Sequence, residues 1–305
     1  MKLMTTRRAH AAVALVAVLA AAVHTSGGTD VEEAPSTAAA PTTSPAAANA
    51  DFAALEARYD TRVGVYVRDT GTGRSVTWRS RERFPFASTI KAPLAGAVLD
   101  RISRRDLSRV IRFDADDLVP YSPVTEKHVD DGMALRDVID AALRFSDNTA
   151  GNLLFEEIAG PAGLNRALDR VGDRVTDPQR IEPDLNTAVP GEVRDTTTPR
   201  AIATTVGKYV LGSVLPRHDR ELLRTLMVTN TTGDALIRAG VPAGWVVADK
   251  TGAAKYGVRN DVAVAFPPGR APVLIAVMTR RDRVDDTYDD AVVAEATRIA
   301  VDALD

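Results

Sequence analysis

The chain has 305 residues, of which 45% are hydrophobic, 26% charged and 5% aromatic, and its net charge is −3. That composition suits one large globular domain or two joined ones, and the mildly acidic balance points to neither nucleic acid nor an anionic membrane as partner. There is no cysteine, which excludes thiol catalysis, thiolate metal ligands and disulfides. His10 and His24 fall in a segment expected to be removed. His128 and His218 have no zinc or serine-hydrolase motif around them and are expected on the surface, so no metal or other cofactor is anticipated.

Lys2, Arg7 and Arg8 precede an apolar run from Ala9 to Val23, and Ala20-Ala21-Ala22 offers a cleavage site. Residues 1–22 therefore read as an export signal for the Sec route, or the twin-arginine route through Arg7-Arg8. The run is too short for a membrane span. The mature protein is expected to be secreted or to occupy the periplasmic or cell-wall space, without stable membrane insertion. Residues 23–50, rich in Ala, Thr, Ser and Pro, read as a disordered linker or propeptide, and folding is expected to begin near Asp51.

Phe52 to Tyr59 has helical character. Val63 to Val67 alternates like a strand, Asp69 to Gly73 supplies turn residues, and Val76-Thr77-Trp78 resumes the strand. From Ser88 to about Met227 the pattern is helical, with Leu135, Val138, Ile139, Ala142 and Leu143 on one face and Gly160-Pro161 and Gly172 at helix ends. Thr176 to Thr198 has no clear period and reads as a long ordered loop. Strand signals return at Val246 to Asp249, Asp261 to Phe266 and Val273 to Thr279, and Asp285 to Leu304 reads as a helix. Strands at both ends with helices between them predict an α/β (α+β) fold: a sheet built from both termini, with an inserted helical region and a cleft between the two.

Four short motifs carry chemistry. Ser88 and Lys91 are three residues apart at a helix start, so a hydroxyl and an amine share one face. A desolvated lysine can take the serine proton, which makes an acylation site that needs no histidine. Ser146-Asp147-Asn148 lies at a helix joint, where short polar residues ordinarily cap. Lys250-Thr251-Gly252 ends a strand, and Glu182-Pro183-Asp184-Leu185-Asn186 sits in the long loop. Each alone is unremarkable.

In this order and spacing the four motifs resemble the class A β-lactamases, whose Ser-x-x-Lys, Ser-Asp-Asn and Lys-Thr-Gly signature is shared with penicillin-binding proteins. The strings Tyr121-Ser122-Pro123-Val124, Asn230 to Gly240 and Gly244-Trp245 add to the likeness, which spans Asp51 to Asp305. It implies a three-layer α-β-α sandwich: an antiparallel sheet flanked by helices, from residues 51–86 and 229–305, and an all-α domain of residues 87–228 that includes the loop 180–195. It also implies a monomer acting on small-molecule β-lactam antibiotics and conferring resistance to them.

By matching positions, Ser88 is the nucleophile, and the backbone N–H groups of Ser88 and Ala253 form the oxyanion hole. Lys91 and Ser146 move protons, and Lys250 keeps the network electropositive. Thr251 and Arg259 hold the substrate carboxylate, with Lys250 attracting it. Asn148 holds the substrate amide, and Gly252 and Tyr121 line the cleft. Glu182 activates the deacylating water with the help of Asn186, while Lys91 and Glu182 both stay open as the acylation base. Arg180 and Asp195 match a salt bridge closing the loop, and Glu182-Pro183 is a candidate cis peptide. The alternatives are a D-alanyl-D-alanine carboxypeptidase of the penicillin-binding class, which lacks the Glu182–Asn186 pair, and a non-catalytic β-lactam sensor, which ordinarily needs a membrane-spanning segment.

Overall fold

The computed structural model describes residues 45–304; the expected export signal and residues 23–44 of the expected linker lie outside them. The first helix, α1 (Pro45–Tyr59), begins six residues before the expected onset at Asp51. Pro at the first helical position followed by alanines favours helix there, and Ala48 is buried.

Strands β1 (Arg62–Asp69) and β2 (Ser75–Trp78) form a hairpin with Val65 opposite Trp78. Helices follow: α2 (Lys91–Arg101), α3 (Leu135–Arg144), α4 (Asn148–Glu157), α5 (Gly160–Arg170), α6 (Pro199–Val210) and α7 (Arg217–Val228). After the short α8 (Ile237–Gly240) come β3 (Val246–Ala254), β4 (Val258–Phe266), β5 (Val273–Arg280) and α9 (Asp290–Asp302). The five strands make one antiparallel sheet in the order β2-β1-β5-β4-β3. The first strand pairs along its whole length with the last, so the sheet closes from both ends of the chain as expected.

The alternation of side chains divides the sheet into two faces. Val63, Val65, Val67, Ile275 and Val277 pack with Phe52 and Leu55 of α1 and with Val293 and Ala300 of α9. On the other face Tyr66, Val262, Val264 and Ala276 join the core of the helical region through Phe86, Leu94 and Val98. Gly64 belongs to this second face, where a Cβ would stand 2.5 Å from the Phe84 ring; only glycine lets that ring lie against the strand. The result is helices, sheet, helices, with α2 buried from Lys91 to Leu99 at the centre of the helical region.

Strands β3 and β4 run longer than their alternation suggested, through Lys250 to Ala254 and from Val258, because pairing with each other carries polar residues along. The last helix starts at Asp290 rather than Asp285, since the Asp289 side chain accepts from Ala291 N and caps it.

Candidate active site

Ser88 lies in a 3₁₀ turn, Ala87–Ile90, that leads into α2. In 3₁₀ geometry residues i and i+3 eclipse, which sets Lys91 Nζ 3.0 Å from Ser88 Oγ. Ala87 holds a left-handed φ of 47°, an uncommon state for alanine and one that clusters at functional positions. The turn is fastened from behind by β4, where buried Asn260 donates to Pro85 O at 2.7 Å and accepts from Thr279 N at 3.0 Å. From the side β3 comes so close that a Cβ on Gly252 would be 3.0 Å from Phe86 O and 3.1 Å from Thr89 N.

Lys91 is 1% exposed and its charge is fully partnered. It donates to Asn148 Oδ1 at 2.6 Å and to Ser146 O at 2.8 Å, and lies 3.0 Å from Glu182 Oε1. Glu182, equally buried, has Oε1 3.3 Å from Ser88 Oγ and accepts on Oε2 from Asn186 Nδ2. Its backbone is gripped by Asn152, which accepts from Glu182 N and donates to Glu182 O, both at 2.9 Å. One carboxylate thus faces both the hydroxyl and the ammonium.

Ser146, at a left-handed φ of 58° between α3 and α4, receives a hydrogen bond from Lys250 Nζ at 3.0 Å. Asp147 caps α4 and also accepts from Val124 N and Thr125 N, so the middle residue of that motif is structural. Lys250 is completely buried, and burial, reinforced by the Lys91 charge, pushes its pKa down to about 7. Asn148 spends its oxygen on Lys91 and one N–H on Pro120 O, leaving a second N–H for a ligand.

These groups open into a cavity of about 320 Å³ lined by Ser88, Ser146, Asn148, Asn186, Thr251, Gly252 and Ala253, with Tyr121 on its edge. Arg259 also lines it; its Nε donates to Asp290 at 2.6 Å and its guanidinium lies over the Tyr288 ring. That anchoring leaves other donors of the fork free. Roomier cavities exist elsewhere, but the residues lining them include no serine next to a lysine.

The loop that carries Glu182 is ordered. Thr196–Thr197 pairs with Phe84–Pro85, Asp184–Asn186 forms a 3₁₀ turn, and the Glu182–Pro183 peptide is cis, as expected. Arg180 Nε meets buried Asp195 Oδ2 at 2.5 Å, and Asp195 Oδ1 accepts from Gln179 N and Arg180 N.

All fourteen residues singled out from the sequence thus fall in the cleft, in its network or at the neck of its loop. His128 and His218 line neither. Sequence reading missed Asn152, Asn260, Thr232 and Tyr288. Asn152 had a signal, four residues beyond Asn148 on one helical face. Thr232, whose hydroxyl is 2.6 Å from that of Thr251, lies in the Asn230 to Gly240 string, which carried no assigned role, and Asn260 had no signal outside tertiary contact.

Residues 47–304 match the family model described as the beta-lactamase enzyme family. A β-lactamase of Bacillus licheniformis is 53% identical over 254 residues, covering 83% of this chain and 83% of its own. One of Amycolatopsis lactamdurans is 54% identical, with 83% of this chain and 84% of its own covered. Among solved structures, a halotolerant bacterial β-lactamase superposes with a TM-score of 0.82 at 49% identity, covering 83% of this chain and 98% of its own. A class A β-lactamase from Clostridium kluyveri DSM 555 gives 0.82 at 43% identity, covering 83% and 97%.

Proposed function

The chain belongs to the β-lactamase enzyme family and is a β-lactam hydrolase of class A, and from that premise we propose that it opens penicillins and cephalosporins through an acyl-enzyme on Ser88. In the first half Ser88 Oγ bonds to the lactam carbonyl carbon while its proton leaves toward Lys91 or Glu182. The backbone N–H groups of Ser88 and Ala253 stabilise the oxyanion. Collapse breaks the C–N bond, and the proton taken from Ser88 is passed through Lys91 and Ser146 to the leaving nitrogen, which restores Lys91 and Glu182 for the second half while Lys250 keeps the relay electropositive.

In the second half a water gives a proton to Glu182 as its oxygen bonds to the acyl carbon. The ester C–O bond then breaks, Ser88 Oγ takes that proton from Glu182 and the acid departs. Thr251 and Arg259 hold the substrate carboxylate and Asn148 its amide. Arg180 and Asp195 keep the loop closed so that Glu182 stays aimed.

One observation carries this reading: a single buried carboxylate, Glu182, lies 3.3 Å from the hydroxyl that would be acylated and 3.0 Å from Lys91 Nζ beside it. A base so placed serves release as well as capture, and release separates a hydrolase from a protein that stays acylated. The protein is further proposed to act as an exported monomer; among the described residues no helix is long and apolar enough to cross a membrane.

The test is turnover of a chromogenic cephalosporin by the purified protein. Many turnovers per molecule are expected. One stoichiometric burst followed by silence would remove the proposed hydrolytic half and leave a penicillin-binding acceptor or sensor.

A further inference from the structure

Behind the loop neck lies a second cavity of about 540 Å³ that shares no lining residue with the catalytic cleft. Five cations line it: Arg81, Arg83, Arg174, Arg200 and Lys208. None of them makes an ion pair among the described residues. Arg83 donates to the Thr196 hydroxyl, Arg200 lies over the Tyr66 ring, Lys208 donates to Val171 O, and Arg81 and Arg174 have no side-chain partner among the described residues. The single carboxylate in the wall, Asp173, is already saturated. It accepts from Val175 N, from the N–H and hydroxyl of Thr176, and from the Thr205 hydroxyl, at 2.7 to 3.0 Å.

Five cations against one wall carboxylate leave an excess of positive charge around one hollow, on a chain whose net charge is −3; a concave surface of one sign draws in and concentrates anions. The first turn of α6 borders the hollow through Ala201 but is already capped, with Ala201 N donating to Thr198 Oγ1 and Arg200 N to Ser80 O, so the side-chain cations supply the attraction. Four guanidiniums suit phosphoryl oxygens, which accept paired N–H bonds, and the volume exceeds the need of a single phosphate. We propose that this cavity binds a small anion with two or more linked phosphoryl groups.

Its position gives the site a consequence. Arg81 and Arg83 precede the strand that leads to Ser88, Arg174 stands where the chain enters the Glu182 loop, and Arg200 and Lys208 stand where it leaves. An anion held by all three segments ties both ends of the loop to the approach to the nucleophile, and so stabilises the closed neck.

The full protein is titrated with inorganic tripolyphosphate, orthophosphate and ATP at constant ionic strength, following heat of binding and Tm. Tripolyphosphate is expected to raise Tm and bind more tightly than orthophosphate, with ATP equal to tripolyphosphate because only the phosphates are read. The Arg81→Ala/Arg174→Ala variant loses affinity by roughly tenfold per guanidinium, while Arg104→Ala, outside the cavity, keeps the response; Arg174→Gln serves if the double variant does not fold. No shift beyond matched chloride, an unchanged response in both cavity variants, competition with β-lactam substrate, or binding of ATP but not tripolyphosphate would each overturn the site.

Discussion

Phe86 N donates to Asp195 O over 3.1 Å, which joins the residue two before the proposed nucleophile to the neck of the loop carrying Glu182. Asp195 also receives Arg180 on its side chain. One buried aspartate therefore links the turn that would capture the acyl group to the loop that would release it, and damage there should uncouple the two halves.

Removing Arg180 leaves the Asp195 carboxylate buried with only its two backbone donors. Arg180→Ala should cost about 3 kcal/mol of stability, the low end for breaking a buried pair. It should slow deacylation more than acylation. Denaturant unfolding and pre-steady-state kinetics measure the two effects; an unshifted midpoint with normal turnover would show that the bridge does nothing.

Glu182→Gln keeps the side-chain volume and a partner for Asn186 but cannot take a proton from water. Ser88 should still be acylated while kcat falls by about a thousandfold or more. Mass spectrometry of the protein mixed with a penicillin should find the adduct persisting. Rapid loss of the adduct would hand the base role to another group.

Lys250 makes activity and stability move in opposite directions with pH. Burial lowers its folded pKa to about 7 from 10.5, so it loses its proton in the native state as pH rises through 7, while the unfolded chain keeps it until about 10.5. Between those values the unfolded state binds more protons, so this group's contribution to stability rises with pH. Its attraction for a substrate carboxylate fades over the same range. kcat/KM, which reports the free enzyme, should show an alkaline limb near pH 7, and kcat a later one because bound carboxylate favours the ammonium. Lys250→Arg should move the limb upward; a limb that stays put would exclude Lys250 as its source.

Asn152 acts on Glu182 only through its backbone, by two hydrogen bonds of 2.9 Å. Asn152→Ala should cost about 1–3 kcal/mol from the unsatisfied groups and lower kcat through deacylation with acylation nearly unchanged. Equal losses in both steps would mean that the effect is general loosening of α4.

Local pattern made much of this legible. Alternation in Val63 to Val67 and the helical period of Leu135 to Leu143 define which faces are buried, because period is a property of adjacent residues. The Ser88–Lys91 spacing was readable for the same reason, since three residues along a turn bring two side chains together wherever the turn lies. Glu182 and Lys250 were legible only through resemblance, because nothing local distinguishes a loop glutamate or a strand-end lysine from a solvated one.

The sequence by itself thus determined most of the elements, the sheet drawn from both termini and the Ser88–Lys91 spacing, while Glu182 and Lys250 stood out only by resemblance. Tertiary structure alone decided that Glu182 is buried against Ser88 and Lys91, that Asn260 and Gly252 hold the nucleophile turn between two strands, and that five cations meet behind the loop. Periodicity specifies a face but not what comes to rest on it. Distances of 3 Å between residues nearly a hundred positions apart, as between Lys91 and Glu182, arise only when the sheet and helices have packed, and with them comes the desolvation that sets the charge on Lys250.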